Sequence, residues 1–365
     1  MTGTTASRTN PFSQRVPVSV LGATGAVGQT FIRLLDNHPW FVVREVAASE
    51  RSAGKSYAAA TRWLEGEMPS DVAGLMVTEC TPEAVRSPII FSALDSSVAG
   101  DAEVAFARAG RTVFSNAKNH RMLPDVPLLI PEVNADHIAV LDAQRRNHGW
   151  SGAILTNANC AATVAALALA PLHQRYGVRS LFLATMQAVS GAGYPGVPSL
   201  DILGNVIPYI ADEEPKLEAE MSKLLGTLGD GVINHASIAV TSHTNRVAVE
   251  HGHTVCMSIG LETKCSPEEA QQTLVEWQGA PATLHLPSRP ARPIIVSDQP
   301  NRPQPRRDVG LGGGMSVTVG RIRPDNLLDL RLVAMGSNTI RGAAGGSILN
   351  AELLASCGLL PQDSR

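Results

Sequence analysis

The chain has 365 residues, 44% hydrophobic and 17% charged, long enough to build two hydrophobic cores. A formal net charge of -3 lacks the basic surplus that a nucleic-acid-binding surface requires. Five scattered cysteines (Cys80, Cys160, Cys256, Cys265, Cys357), with no CxxC pair, indicate neither a disulfide framework nor a structural zinc site and point to a reducing, cytoplasmic setting.

No run approaches the length needed to span a bilayer, and residues 1–15 lack the apolar core of a signal peptide, so they read as a loose N-terminal tail. Val16–Leu21 then reads as a buried parallel strand. It runs directly into Gly22-Ala-Thr-Gly25-Ala-Val-Gly28 and a helical pattern through Phe31, Ile32, Leu34 and Leu35. Strand, glycine turn and helix in this order form a dinucleotide site: glycines permit the tight turn and let backbone N–H groups reach a pyrophosphate at the helix start. The spacing is GxxGxxG rather than the commoner GxGxxG.

The next strand, 42–48, ends in Ser49-Glu50-Arg51-Ser52-Ala53-Gly54-Lys55, where this fold meets the adenosine ribose. A carboxylate there selects NAD, whereas hydroxyls with Arg51 and Lys55 suit the extra phosphate of NADP, and Glu50 is read as facing solvent. A charged surface turn is the plainer reading. Strands at 89–92 and 112–115 likewise end in small polar residues. The cationic turn Ser115-Asn-Ala-Lys118-Asn119-His-Arg121-Met122 suits an anionic substrate and equally a solvated loop.

Thr156-Asn157-Ala158-Asn159-Cys160-Ala161-Ala162 opens a long alanine-rich run with the character of a buried helix. A cysteine at a helix start meets unpaired N–H groups and the positive end of the dipole, which favour thiolate over thiol. The same stretch is equally compatible with a small buried core residue.

Beyond Cys160 the strands lengthen and alternate, for example at 181–187, 253–259 and 315–320, which predicts a second unit on a mainly antiparallel or mixed sheet. Gln187-Ala-Val-Ser190-Gly191-Ala-Gly193 is another glycine-rich turn. Asp212-Glu213-Glu214-Pro215-Lys216 begins a helix, where the dipole alone explains the carboxylates. His251, His253 and Cys256 invite a metal reading, but strand alternation sends His253 and Cys256 to opposite faces, so no metal is expected. His253 can instead supply the base that a cysteine nucleophile needs. The Pro- and Arg-rich stretch 287–307 reads as an ordered loop or arm at a subunit interface, 327–334 as a final strand, and 348–354 as a closing helix that returns to the first domain.

These motifs, taken together and in order, resemble the aspartate-semialdehyde dehydrogenase family, in particular its archaeal and fungal branch. The resemblance rests on GATGAVG at Gly22, SERSAGK at Ser49, SNAKNHRM at Ser115, NANC ending at Cys160 and QAVSGAGYPGVPSLDI at Gln187. It continues through NVIPYIADEEPK at Asn205, RVAVEHGHT at Arg246 and RPQPRRD at Arg302. It implies an α/β fold, with a Rossmann-like NADP-binding domain (16–158 with 338–365) and an α+β catalytic and dimerisation domain (159–337). Cys160 would be the acylated nucleophile, His253 the acid/base and Gln187 the group that orients the covalent intermediate. Arg246 would grip the substrate α-carboxylate and Glu213 its amino group, with Lys216, Arg121 and nearby Asn119 on the phosphate. NADP would be carried by Gly22, Thr24, Gly25, Ala26, Val27, Ser49, Arg51, Ser52, Ser190, Gly191 and Asn338.

The implied reaction is NADPH-dependent reduction of L-4-aspartyl phosphate to the semialdehyde, by a homodimer or homotetramer acting on small molecules, with no nucleic-acid or membrane partner. Its rivals are a related acyl-phosphate or acyl-CoA reductase, such as a malonyl-CoA reductase or a secondary-pathway paralogue, and a catalytically idle NADP-binding protein. One departure stands out: the family usually continues its catalytic Asn-Cys with small hydroxyl residues, whereas Ala161 and Ala162 follow here.

Overall fold

A computed structural model describes residues 10–360, so most of the expected N-terminal tail, and positions 361–365, lie outside the described residues. The first part of the chain builds a parallel sheet of seven strands: β1 Val16–Leu21, β2 Phe41–Ala48, β3 Val77–Glu79, β4 Ile89–Ser92, β5 Thr112–Ser115, β6 Leu128–Leu129 and β7 Ala153–Asn157. Their order is β3-β2-β1-β4-β5-β7-β6, with every pairing parallel. β1, β4 and β5 are almost wholly buried, as expected for strands covered on both faces.

The glycine turn closes β1 for steric reasons. Gly22 has φ +69°, and a Cβ there would lie 2.5 Å from the Ala93 carbonyl oxygen; at Gly28 it would lie 2.3 Å from the Gly22 oxygen. Helix Ala26–Leu35 can therefore start directly against the strand end. Gly25 is its N-cap, and its first turn carries no acidic residue.

The second part comprises β8 Val178–Gln187, β9 Val206–Ile207, a small hairpin of β10 Thr227–Leu228 and β11 Ile233–Asn234, then β12 Ala239–Val247, β13 His253–Leu261, β14 Ile294–Ser297, β15 Val317–Pro324 and β16 Leu330–Gly336. Apart from the hairpin these form a mixed sheet in the order β14-β15-β16-β13-β8-β12-β9, parallel at β14/β15 and β8/β12 and antiparallel elsewhere. Helix Cys160–Tyr176 packs into its core, with residues 161–172 all buried. A helix apolar on every side has no solvent face to present.

Two expectations change in detail. The stretch 287–307 is not without regular structure: Ile294–Ser297 pairs in parallel with β15, and a short helical turn spans Pro305–Asp308. Pro293 is tolerated because it precedes the edge strand instead of interrupting a central one. The closing helix is Gly345–Ser356, and it follows a π-helical turn, Ile340–Ala344. Ile348, Leu349, Leu353 and Leu354 of that helix join the core of the first sheet beside Val18, Val20 and Phe31. Among the described residues no helix is long and apolar enough to cross a membrane.

Candidate active site

The C-terminal ends of the parallel strands open onto a cavity of about 790 Å³, whose wall includes Thr24 to Val27, Ala93 to Ser96 and Asn116 to Lys118. This is the crevice in which an open α/β sheet binds its ligand. Its far wall carries Cys160, Gln187, Ser190, Gly191, Glu213, Lys216, Arg246 and Asn338.

Cys160 is the first residue of its helix, and Asn159 is the cap. The Asn159 Oδ1 accepts hydrogen bonds from the N–H groups of Ala161 (2.8 Å) and Ala162 (3.1 Å). The two alanines thus need no hydroxyls of their own: their side chains are buried, and the cap comes from the preceding asparagine. The helix-start N–H groups expected to stand unpaired are therefore partly occupied.

His253 begins β13, is fully buried and brings Nε2 to 3.1 Å from the Cys160 Sγ. Its Nδ1 accepts a hydrogen bond from the Ala188 N–H at 3.1 Å. Burial, with Arg246 adding repulsion, pushes its pKa down to about 3. Burial and the Glu213 carboxylate push the Cys160 thiol up to about 12, against the opposing pull of Arg121, the Ala161 N–H and Arg246. Desolvation thus outweighs the helix terminus and works against the thiolate that the sequence led one to expect.

Gln187 ends β8 and lies opposite Arg246 of β12 in the parallel register. Its Nε2 donates to the Glu213 Oε1 at 3.0 Å, and Asn159 Nδ2 donates to the same oxygen at 2.8 Å. Arg246 Nη1 donates to the Ala188 carbonyl at 2.8 Å. Arg121 donates from Nη1 to Glu220 (2.8 Å) and from Nη2 to the Asn116 carbonyl (2.8 Å), leaving Nε buried without a partner. Asn338 joins two turns, donating to the Ser190 Oγ at 2.8 Å and accepting from the Gly252 N–H at 2.9 Å.

Not every expected residue lines the cavity. Asn119 is exposed and donates to the Ser96 carbonyl. Ser49, Arg51 and Ser52 stand beyond the cavity wall after β2, with Ser49 and Arg51 exposed, and Gly22 lies beneath the turn. Glu50 is exposed, as read.

Sequence reasoning passed over several residues. Buried Glu220 accepts from the Asn159 N–H at 2.6 Å as well as from Arg121, so one carboxylate ties the cap of the Cys160 helix to the cationic turn. Lys118, read in the sequence only as part of the cationic turn, lines the cavity and pairs with Asp212 at 2.9 Å. A Cβ on Gly342 would lie 2.6 Å from the Cys160 Cβ. The spacing of Glu213 and Glu220, two turns apart on helix Glu213–Leu224, was the available signal for the first of these.

A parallel-sheet crevice with a cysteine on its wall and a buried histidine behind it, backed by a mixed sheet, is the arrangement of a nicotinamide-dependent dehydrogenase. The model of the semialdehyde dehydrogenase NAD-binding domain matches residues 17–141, and that of the semialdehyde dehydrogenase dimerisation domain matches residues 169–341. The chain belongs to the aspartate-semialdehyde dehydrogenase family. It is 48% identical over 343 residues to the aspartate-semialdehyde dehydrogenase of Methanothermobacter thermautotrophicus, covering 93% of this chain and 99% of the relative. With that of Schizosaccharomyces pombe it shares 42% over 352 residues, covering 94% and 99%. The Candida albicans aspartate semialdehyde dehydrogenase structure with NADP superposes with a TM-score of 0.87 at 42% identity, covering 95% of this chain and all of that one.

Proposed function

We propose that this enzyme catalyses the reversible, NADPH-dependent reductive dephosphorylation of L-4-aspartyl phosphate to L-aspartate 4-semialdehyde through a thioester on Cys160. The observation that carries the mechanism is the 3.1 Å approach of His253 Nε2 to the Cys160 sulfur on a cavity wall that also bears Gln187, Glu213 and Arg246.

The glycine turn fits a dinucleotide: Thr24, Gly25, Ala26 and Val27 line the cavity at a helix start free of acidic side chains, as a pyrophosphate requires. Gly22 shapes that turn, and the Ser190-Gly191 turn with Asn338 would hold the nicotinamide end. Ser49, Arg51 and Ser52 would meet the 2′-phosphate outside the main cavity. Bound NADPH supplies the hydride that reduces the thioester.

Cys160 attacks the acyl phosphate, splitting one difficult reduction into two easier steps. His253 is the acid/base partner of the sulfur, and Gln187 orients the acyl group. Arg246 takes the substrate carboxylate and Glu213 its ammonium. Lys216 and Arg121 take the phosphate, with Arg121 offering its unpartnered Nε; Asn119 supports that turn from outside the cavity. An amino-acid substrate is favoured over an acyl-CoA by the paired charges of Arg246 and Glu213.

The domains are assigned as 16–158 with 338–365 and 159–337, the former supported by the packing of Gly345–Ser356 into the first core. The enzyme is assigned to the cytoplasm as a homodimer or homotetramer, with association supported by the outward row of Phe182 and Met186 on β8.

Purified enzyme given aspartate semialdehyde and phosphate should reduce NADP, followed at the NADPH absorbance band, and should ignore CoA thioesters; the reverse preference would sink the reading. Cys160→Ser should lower turnover by at least about 10³-fold with NADPH binding unchanged in a fluorescence titration.

A further inference from the structure

We propose that Lys223 is a positioning residue for the substrate phosphate: its ammonium gathers three main-chain carbonyls of the turn 121–126 and so holds Arg121 at the cavity wall. The inference rests on the reaction read above, in which Arg121 takes the phosphate, and it gives a part to a residue that touches no substrate.

Helix Glu213–Leu224 carries Glu213, Lys216, Glu220 and Lys223 three and four residues apart, which puts four charged groups on one face. Glu213 and Lys216 reach the cavity. Glu220 accepts from Arg121 Nη1 at 2.8 Å and from the Asn159 N–H at 2.6 Å. Lys223, the last of the row, is fully buried.

An ammonium taken out of water is costly unless its protons are all matched. Lys223 Nζ donates to the carbonyls of Arg121 at 2.7 Å, Leu123 at 2.6 Å and Val126 at 2.8 Å, three acceptors for three protons. Burial pushes its pKa down to about 8, while Asp125 and Glu220 favour the charged form, so at pH 7 the third proton is still in place. The turn's own main-chain bonds run from the Arg121 N–H to the Lys118 carbonyl (3.3 Å), from Leu123 to His120 (3.2 Å) and from Val126 to Leu123 (3.2 Å), all longer than the contacts to Nζ. Three carbonyl oxygens aimed at one point repel one another unless a cation stands between them.

Arg121 is thereby fixed at both ends. Lys223 holds its carbonyl, while Glu220 and the Asn116 carbonyl, 2.8 Å from Nη2, hold its guanidinium. Nε is left buried without a partner. The cation assigned to the phosphate and the carboxylate assigned to the substrate ammonium are thus set by one helix. Removing Lys223 loosens the phosphate end alone.

Full-length Lys223→Met enzyme, assayed at pH 7 with aspartate semialdehyde, inorganic phosphate and NADP, tests this. Methionine keeps much of the buried stem and loses the charge and all three donors. The KM for phosphate should rise at least about tenfold, with the KM values for aspartate semialdehyde and NADP within about twofold of wild type. An unchanged phosphate KM overturns the proposal, and so does a common shift of all three constants, which is what general loosening of the fold would give. Should Lys223→Met not fold, Lys223→Gln, which offers two donors, should raise the phosphate KM at least about threefold and leave the other two in place, and the same two outcomes overturn the proposal. Failure of the reaction reading would show separately, as wild-type enzyme that does not reduce NADP with aspartate semialdehyde and phosphate.

Discussion

At the scale of single residues, the proposed nucleophile rests as a thiol. Burial and Glu213 push Cys160 up to about 12, so in the empty enzyme its thiolate fraction should rise about tenfold per pH unit from neutrality to about pH 9. Iodoacetamide labelling, followed by mass spectrometry of the Cys160 peptide, should show that steep rise; a plateau near pH 7 would mean that a stable thiolate already exists. The approach of Cys160 and His253 was legible in the sequence because the motifs around both residues are family-specific. Glu220 was only partly so: its spacing from Glu213 marks a shared helix face, but its role depends on helix Glu213–Leu224 meeting the Asn159 cap and the cationic turn at once, which spacing does not encode. Nor was the direction of the thiol shift: a helix start is visible in a string of letters, whereas the volume of protein around a sulfur is not.

At the scale of elements, the π-helical turn Ile340–Ala344 is the mould against which the nucleophile is set. Asn157 Nδ2 donates to the carbonyls of Gly342 and Ala343, both at 3.2 Å, and Arg341 forms a buried bidentate pair with Glu132 at 2.7 and 2.6 Å. A π turn is a costly irregularity that recurs at functional sites. Gly342→Ala would force a methyl against the Cys160 Cβ and Cα, 2.6 and 2.9 Å away, and backbone cannot yield cheaply. It should cut kcat by at least about tenfold while costing only about 1–3 kcal/mol of stability, measured by steady-state assay and urea unfolding. In the sequence this segment read simply as the approach to a closing helix. The helix itself was legible from its apolar run; the extra residue in the turn was not, because it depends on close packing against Cys160 at the start of another helix. The edge strand Ile294–Ser297 was missed for a related reason, since four β-branched and small residues among prolines acquire meaning only beside β15.

At the scale of the whole molecule, the second sheet turns one face to the core and leaves Phe182 and Met186 on the other, 37% and 38% exposed, with His243 of β12 edge-on to Phe182 at 5.8 Å. Such a face is a natural seat for a second copy. Phe182→Lys combined with Met186→Lys should shift sedimentation from oligomer to monomer; an unchanged sedimentation coefficient would place the interface elsewhere. The two-sheet division was legible from the change from short buried strands to long alternating ones. The order of the second sheet was not, because nothing local foretells that β8 pairs with both β12 and β13.

The return of Gly345–Ser356 to the first core also bears on how the chain is made. Val18, Val20 and Phe31 leave the ribosome long before Ile348, Leu349 and Leu354, which share their core. The dinucleotide sheet therefore cannot mature as an independent unit during synthesis, and its completion is a late, long-range event. The second sheet is closed by its own strands in the meantime. The same closing step that seals the first core brings the π turn against Cys160, so that side chain acquires its final setting only after this late segment has emerged.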